Sequence, residues 1–353
     1  MHTWSENPKK DVIQHLEILT YSVNCKKLLL GKIKSKRKIN DINGKTLNRK
    51  ATEMAFCIKQ GIAYFKNADN ADISISPLLL YYGILSFAKA LIIANSKNDI
   101  FLDDIIYHGL TSQAKTESQI KQKQNKKNWK LINEFANTND GVFIELSRLF
   151  NINFKKRSTF ILKNTFACIP ELKTIIDKLN ILNSSVINCY QEIKEENNGI
   201  SFSIHNYDKR KIEKIIPTIK KEFTCDDIHG KNLFLKYNSI QNIKLNNFKY
   251  LYNYTSVYGG RYFVPPVNYI DNNDMQQKVL LPQILIDYIN FFILSEQVRY
   301  HQDNWNKVMN GSNNGMISIL KIYIDCTKRR FTNEVLNELF NEPFTYGSPT
   351  FLS

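Results

Sequence analysis

The sequence predicts an α+β fold, mainly helical, in which N- and C-terminal helical units pack together beside a strand-rich middle segment. Three observations predict it. Two long apolar runs, residues 78–94 and 279–309, lie far apart in the chain; the first is apolar all round, and the second reads as a mostly buried helix that becomes polar at its C-terminal end. Between them, short runs of β-branched and aromatic residues bounded by Asn, Gly or Ser carry the strand signature. Hydrophobic residues make up 43% of the 353, against only 13 Gly and 9 Pro, so a real core is available and a disordered or linker-rich chain is excluded. One large domain or two interleaved ones both fit this length.

Asn7-Pro8 introduces an amphipathic helix with Val12, Leu16, Leu19 and Val23 on one face. A basic connector follows, with Lys32, Lys34, Lys36, Arg37 and Lys38 ahead of the turn signal Asn43-Gly44. Residues 47–65 read as a second helix with Met54, Ile58 and Ile62 in register. Ser76-Pro77 opens the first apolar helix, with Ser as cap and Pro where a free N–H would be unpaired anyway. By length alone 78–94 is the one candidate membrane span, but Lys89 sits well inside it, and a lysine at the bilayer centre costs about 2.5–3.5 kcal/mol. A buried helix is the expectation, and no membrane partner is implied.

These elements form an N-terminal helical unit over 1–110. A polar mobile segment is expected over 111–135, where the repetitive stretch 111–130 (TSQAKTESQIKQKQNKKNWK) should be a mobile, solvated loop or an exposed helix. Over 136–270 the runs GVFIEL, TFIL, SVINCY, GISFSI and NLFLKY predict strands, interrupted by helices near 170–179 and 207–216. The C-terminal helical unit, 271–353, carries the second apolar helix and two shorter amphipathic ones, 316–327 and 332–340, then a tail without helical pattern.

The 48 basic residues against 33 acidic give a net charge of +15, which attracts polyanions. Only nine of the cations are Arg, and the richness in Lys, Asn and Ile is what an AT-rich coding genome would also produce. The six cysteines, Cys25, Cys57, Cys168, Cys189, Cys225 and Cys326, are scattered without a CxxC pair, which predicts thiols in a reducing cytoplasm and neither disulfides nor a zinc site. The start of the chain lacks an apolar signal core, so a cytoplasmic location is expected.

Four segments together resemble the YaaC-like family of bacterial proteins. They are SPLLLYYGILSFAKAL over 76–91; His108-Gly109; Asp140-Gly141-Val142-Phe143; and Tyr262-Phe263-Val264-Pro265 followed by LPQILIDYINFFILSEQVRYHQDNW. In the last, Ser295, Arg299, Tyr300 and Trp305 match the pattern S-x-x-x-R-Y-x-x-x-x-W. The chain departs from the family pattern at His301-Gln302, where Pro is frequent, and at the LTSQAK that follows His-Gly. The resemblance runs through nearly the whole chain and implies a bacterial cytoplasmic protein; it implies no reaction.

Arg299 and Tyr300 lie near the polar end of an apolar helix, where a guanidinium needs a partner. Either Arg299 locks this helix to the N-terminal unit, through Asp103 or Asp104, or it belongs to an anion site with Lys89, His108 and Tyr300. Lys89 either reaches from the core to the surface or joins that cationic group. His108, before a glycine, is a candidate catalytic residue set against a structural one. Glu192 and Lys194, with Asp177 upstream, loosely match the D…ExK arrangement of metal-dependent nucleases. No phosphate-binding glycine loop, dinucleotide fingerprint, HExxH or GxSxG motif is present, and no cofactor or metal is implied.

Three functions fit. The first is a nucleic-acid-associated component of a bacterial stress or phage-defence response, with Lys34, Lys36, Arg37, Lys38, Lys126 and Lys127 as phosphate contacts. The second is a non-catalytic scaffold or regulator that binds another protein. The third is an enzyme acting on a nucleotide or phosphorylated ligand at Lys89, His108 and Arg299.

Overall fold

The computed structural model describes residues 2–5, 7–35, 43–96, 98–114, 119, 129–188, 190–192, 201–205, 223–229, 232–237, 262–263, 266–312, 315–342 and 344–347. Helix α1 (Pro8–Ile18) is capped by Asn7, whose side chain accepts from the Lys10 N–H at 3.2 Å, and it buries Val12 and Leu16. It stops at Leu19, so Val23 does not continue its face. Val23 belongs to α2 (Ser22–Ser35) and is exposed. Lys32 is likewise no connector: it is buried on α2, and its Nζ donates to Asn95 Oδ1 at 2.6 Å.

Helix α3 (Gly44–Asn70) buries Leu47, Ala51, Met54, Ile58, Ile62 and Phe65, which recur every three or four residues. It packs along α4 (Ser76–Asn95), the first apolar run. Ser76 is the first residue of α4 rather than its cap, and its hydroxyl donates to the Ala68 carbonyl at 3.4 Å. By length and composition α4 is long and apolar enough to cross a membrane, yet most of it is buried inside the fold.

The chain then enters a five-stranded antiparallel sheet. Its strands are β2 (His108–Thr111), β3 (Phe135–Gly141), β4 (Thr159–Ile161), β11 (Val267–Ile270) and β12 (Gln276–Val279), in the order β12-β11-β4-β3-β2. Two strands run directly into helices: β3 into α5 (Val142–Leu149) and β4 into α6 (Leu162–Phe166). The GVFIEL run is therefore helical, not a strand. Val142, Phe143 and Leu146 face the core, while Glu145 and Arg148 pair at i,i+3. Six apolar-rich residues do not distinguish the two periods; the break at Gly141 decides.

Helix α7 (Lys173–Leu179) follows a 3₁₀ turn at Pro170–Leu172, as expected for 170–179. The expected helix over 207–216 lies outside the described residues. Strands β6 (Tyr190–Glu192), β7 (Ser201–His205), β8 (Phe223–His229) and β9 (Asn232–Tyr237) form a four-stranded antiparallel sheet, and β5 (Ile187–Asn188) pairs with β10 (Tyr262–Phe263).

The second apolar run starts later and breaks earlier than its pattern suggests. Pro282 precedes α8 (Gln283–Tyr300), and the backbone turns at His301 into α9 (Gln302–Met309). The two amphipathic stretches beyond are one helix, α10 (Met316–Phe340). The tail is not loose where described: β13 (Thr345–Gly347) pairs in parallel with β1 (His2–Trp4).

One continuous cluster of buried side chains runs from Val12 to Phe344 and takes in both helical units and the sheet. Burying each of its Leu, Ile or Phe side chains contributes about 1.5–3 kcal/mol. Within it lies a polar network between α8 and α10. Arg330, 1% exposed, donates to both oxygens of Asp287 and to Glu171, while the Tyr323 hydroxyl donates to Asp287 at 2.8 Å. The molecule is thus α+β and mainly helical, with helices at both ends and the antiparallel sheet in the middle.

Candidate functional site

Three segments meet where α4, β2 and the end of α8 come together. The approach of the two glycine segments sets the geometry. Gly109 and Gly141 both have positive φ, +81° and +130°, and His108 pairs with Gly141 across the sheet. A Cβ at Gly141 would lie 2.3 Å from the Tyr107 carbonyl oxygen, and one at Gly109 would lie 2.5 Å from the Phe143 nitrogen. Only glycine fits either position. With both backbones this close, the Val142 N–H donates to the Tyr107 carbonyl at 2.9 Å, which starts α5 and holds His108 against α4 and α8.

His108 is half-buried. Its Nδ1 lies 2.8 Å from the Tyr81 hydroxyl, and its backbone carbonyl accepts from the Tyr288 hydroxyl at 2.7 Å. Burial holds the Tyr81 phenol well above its ordinary pKa, so it keeps its proton. The Tyr81–His108 contact is therefore a hydrogen bond between a protonated phenol and the imidazole. Burial first, and then the positive charges of Arg299 and Lys89, depress the imidazole pKa; Glu296 opposes them. Arg299, Lys89 and Glu296 thus all act on the His108 ring.

Arg299 is held from several sides. Its Nη2 pairs with Glu296 one helical turn back, and its Nε donates to the Ser295 carbonyl at 3.3 Å. Its Nη1 reaches the Tyr82 hydroxyl at 3.5 Å. The guanidinium also lies against two rings, 4.9 Å from the centroid of Tyr300 and 5.9 Å from that of Tyr82, and Tyr82 stacks in turn on Tyr64. The expected partners Asp103 and Asp104 are not used. Asp103 accepts from Arg49 at 2.6 Å, and Asp104 accepts the Phe101 N–H at 2.9 Å. Arg299 does tie α8 to the N-terminal unit, but through Tyr82: Asp103 is held by Arg49 of α3, and Asp104 is held within its own turn.

Lys89 lies two turns along α4 from Tyr82. It is partly buried and has no hydrogen-bond or ion-pair partner among the described residues. Glu296, which sequence reasoning missed, is the charge that organises the cluster: its second oxygen accepts from the Ser112 hydroxyl at 2.6 Å. Its place one turn before Arg299 on a helix is the signal that could have found it. Tyr300 is 65% exposed, so one aromatic face beside the guanidinium stays open to solvent.

Lys34 lies on α2; Lys36, Arg37, Lys38, Lys126, Lys127 and Lys194 lie outside the described residues. Glu192 ends β6, while Asp177 is engaged by Lys173 on α7 at 2.8 Å. Among the described residues no group of three or more His, Cys, Asp or Glu is arranged to hold a metal. Burial pushes the thiols of Cys25 and Cys57 up to about 12, so neither is a nucleophile near neutral pH. Within the 111–135 stretch, Gln119 is buried, and its amide donates to Asn137 and Thr159 at 3.2 and 3.1 Å.

No curated protein and no solved structure matches the chain. The family model described as YaaC-like Protein matches residues 19–339, a span that includes α4, His108-Gly109, Gly141 and the whole of α8. The glycine pair and the Arg299 cluster are therefore features of a chain that belongs to the YaaC-like family.

Proposed function

We propose that the protein is nucleic-acid-associated and that the cluster of Lys89, His108, Arg299 and Tyr300 receives the strand. The observation that supports this is the Arg299–Tyr300 pair: a guanidinium 4.9 Å from the centroid of a ring that is 65% exposed. Single strands are held by aromatic faces that stack on bases and cations that meet phosphates, and each stacked base contributes about 1–3 kcal/mol. Lys89 adds an ammonium without a partner among the described residues. The excess of 15 positive charges favours the encounter at low salt.

The experiment is fluorescence anisotropy with short labelled RNA and DNA across a salt series. The reading expects log affinity to fall linearly with log salt, and Tyr300→Ala to weaken binding about tenfold at fixed salt. Tyr300 is exposed, so this variant keeps the fold. No binding at low salt would make the charge compositional and turn attention to a protein partner. The setting proposed with this reading is a bacterial stress or phage-defence response, tested by phage plaquing on cells with and without the gene.

A second reading is favoured by His108. An imidazole kept neutral, with two cations nearby, suits an enzyme acting on a nucleotide or phosphorylated ligand. Incubation with labelled nucleotides and with RNA, assayed for product, separates the two readings: turnover lost in His108→Gln supports the enzyme.

A further inference from the structure

On a different part of the molecule, α6, the 3₁₀ turn at Leu131–Asn133, the loop after α7 and the start of β11 enclose a half-open cavity of about 380 Å³. That volume is within the range of small-molecule sites, roughly 300–1,000 Å³. Its rim carries Lys130 and Lys163, and its described lining holds no carboxylate. Neither ammonium has an ion-pair or hydrogen-bond partner among the described residues. Asn183, Ser185 and Asn268 also line it, and no protein group among the described residues engages their side chains. Ile181 and Leu182 supply an apolar wall.

We infer that this cavity binds a small phosphate monoester carried on a hydroxyl-bearing body of sugar size. Two lysines without a neighbouring acid match a dianionic phosphate. The amides and the serine offer donors and acceptors in pairs, which suits hydroxyls that need both. The apolar wall covers a carbon skeleton, and the cavity has room for one besides the phosphate. The site shares no residue with the Arg299 cluster, so it stands or falls independently of the nucleic-acid reading.

The experiment is titration calorimetry of the full chain with ribose 5-phosphate, inorganic phosphate and succinate. Ribose 5-phosphate should bind saturably and tighter than inorganic phosphate, with succinate weakest. Lys130→Gln combined with Lys163→Gln should weaken it at least about tenfold, since hydrogen bonds to charged groups contribute about 1.5–3 kcal/mol. Both lysines are exposed, so the fold should survive, and circular dichroism checks this. Asn183→Trp, at an exposed position of the lining, should block the cavity independently. Tyr300→Ala and Lys156→Gln, both outside the lining, should leave binding unchanged. No saturation, unaltered binding in the lysine double variant and in Asn183→Trp, or succinate binding as tightly as ribose 5-phosphate would each overturn the inference.

Discussion

Arg330 on α10 reaches both carboxylate oxygens of Asp287 on α8 through a single nitrogen, Nη2, at 2.7 and 2.9 Å, with both side chains fully buried. The pair joins two helices of the C-terminal unit. Removing Arg330 strands the Asp287 charge, whereas removing Asp287 leaves Arg330 its bond to Glu171. Arg330→Met should therefore destabilise the protein by about 3–5 kcal/mol in urea denaturation, whereas adding Asp287→Leu to it should recover part of that loss. A double variant as unstable as the two single losses added together would show that the pair is not the coupled unit the contacts describe.

Glu334 gives a pH prediction in the same network. It lies 3.8 Å from Arg330 Nε, and neither of its oxygens has a hydrogen-bond partner among the described residues. Burial pushes its carboxyl well above the ordinary range, against the pull of Arg330. The folded state therefore holds a proton that the unfolded chain releases near its ordinary value. This stability is fully present below the unfolded pKa and is lost as pH rises through the folded one. One such proton changes stability by at most about 1.4 kcal/mol per pH unit. Glu334→Gln should remove that slope, so its advantage in urea midpoint over the native chain grows from pH 5 to pH 8. A constant difference across that range would count against it.

Gly141 should tolerate no side chain. Its φ of +130° and the 2.3 Å approach of the Tyr107 oxygen leave no space for a Cβ. Gly141→Ala should cost at least about 2 kcal/mol, since strained backbone and steric overlap both oppose it. Gly311, with φ +73° and open space around its Cβ position, is the comparison. Gly311→Ala should cost less, through backbone strain alone. Thermal melts of the two variants give the ranking directly.

The His108 titration should report Arg299. Arg299→Met removes a cation that holds the imidazole down and leaves Glu296 unopposed, so the His108 pKa should rise toward or past its ordinary value. Histidine NMR titration reads this, with the five other histidines as internal references. Lys89→Met should move it the same way but less, because its influence is smaller than that of Arg299. No movement in either variant would separate His108 from the cluster.

The helix pattern over 47–65 and the all-apolar run that became α4 were legible because their apolar spacing persists over many turns. The cluster of Lys89, His108, Arg299 and Tyr300 was legible as a list of residues from the resemblance of their segments. Its wiring was not. Glu296 and Ser112 look like surface residues in sequence, and Asp103 and Asp104, which the sequence offers as partners for Arg299, are held by Arg49 and by the Phe101 N–H. The buried Arg330 network was missed altogether, because the polar residues of α10 read as an exposed face while α8 supplies an aspartate to meet them.

What the sequence by itself determined is local and periodic: the α+β class, the burial of α4 and most of α8, the strand runs around residues 159, 187, 201 and 232, and the family resemblance. What only the tertiary structure decided is where short or ambiguous segments go and which polar groups meet. Val142–Leu149 is a helix because Gly141 breaks the strand against Tyr107, and 316–340 is one helix in which Tyr323 and Arg330 meet Asp287 on α8. Periodicity records which face of an element is apolar. Whether a charge is paired depends on a second element, and that distance is written nowhere along the chain.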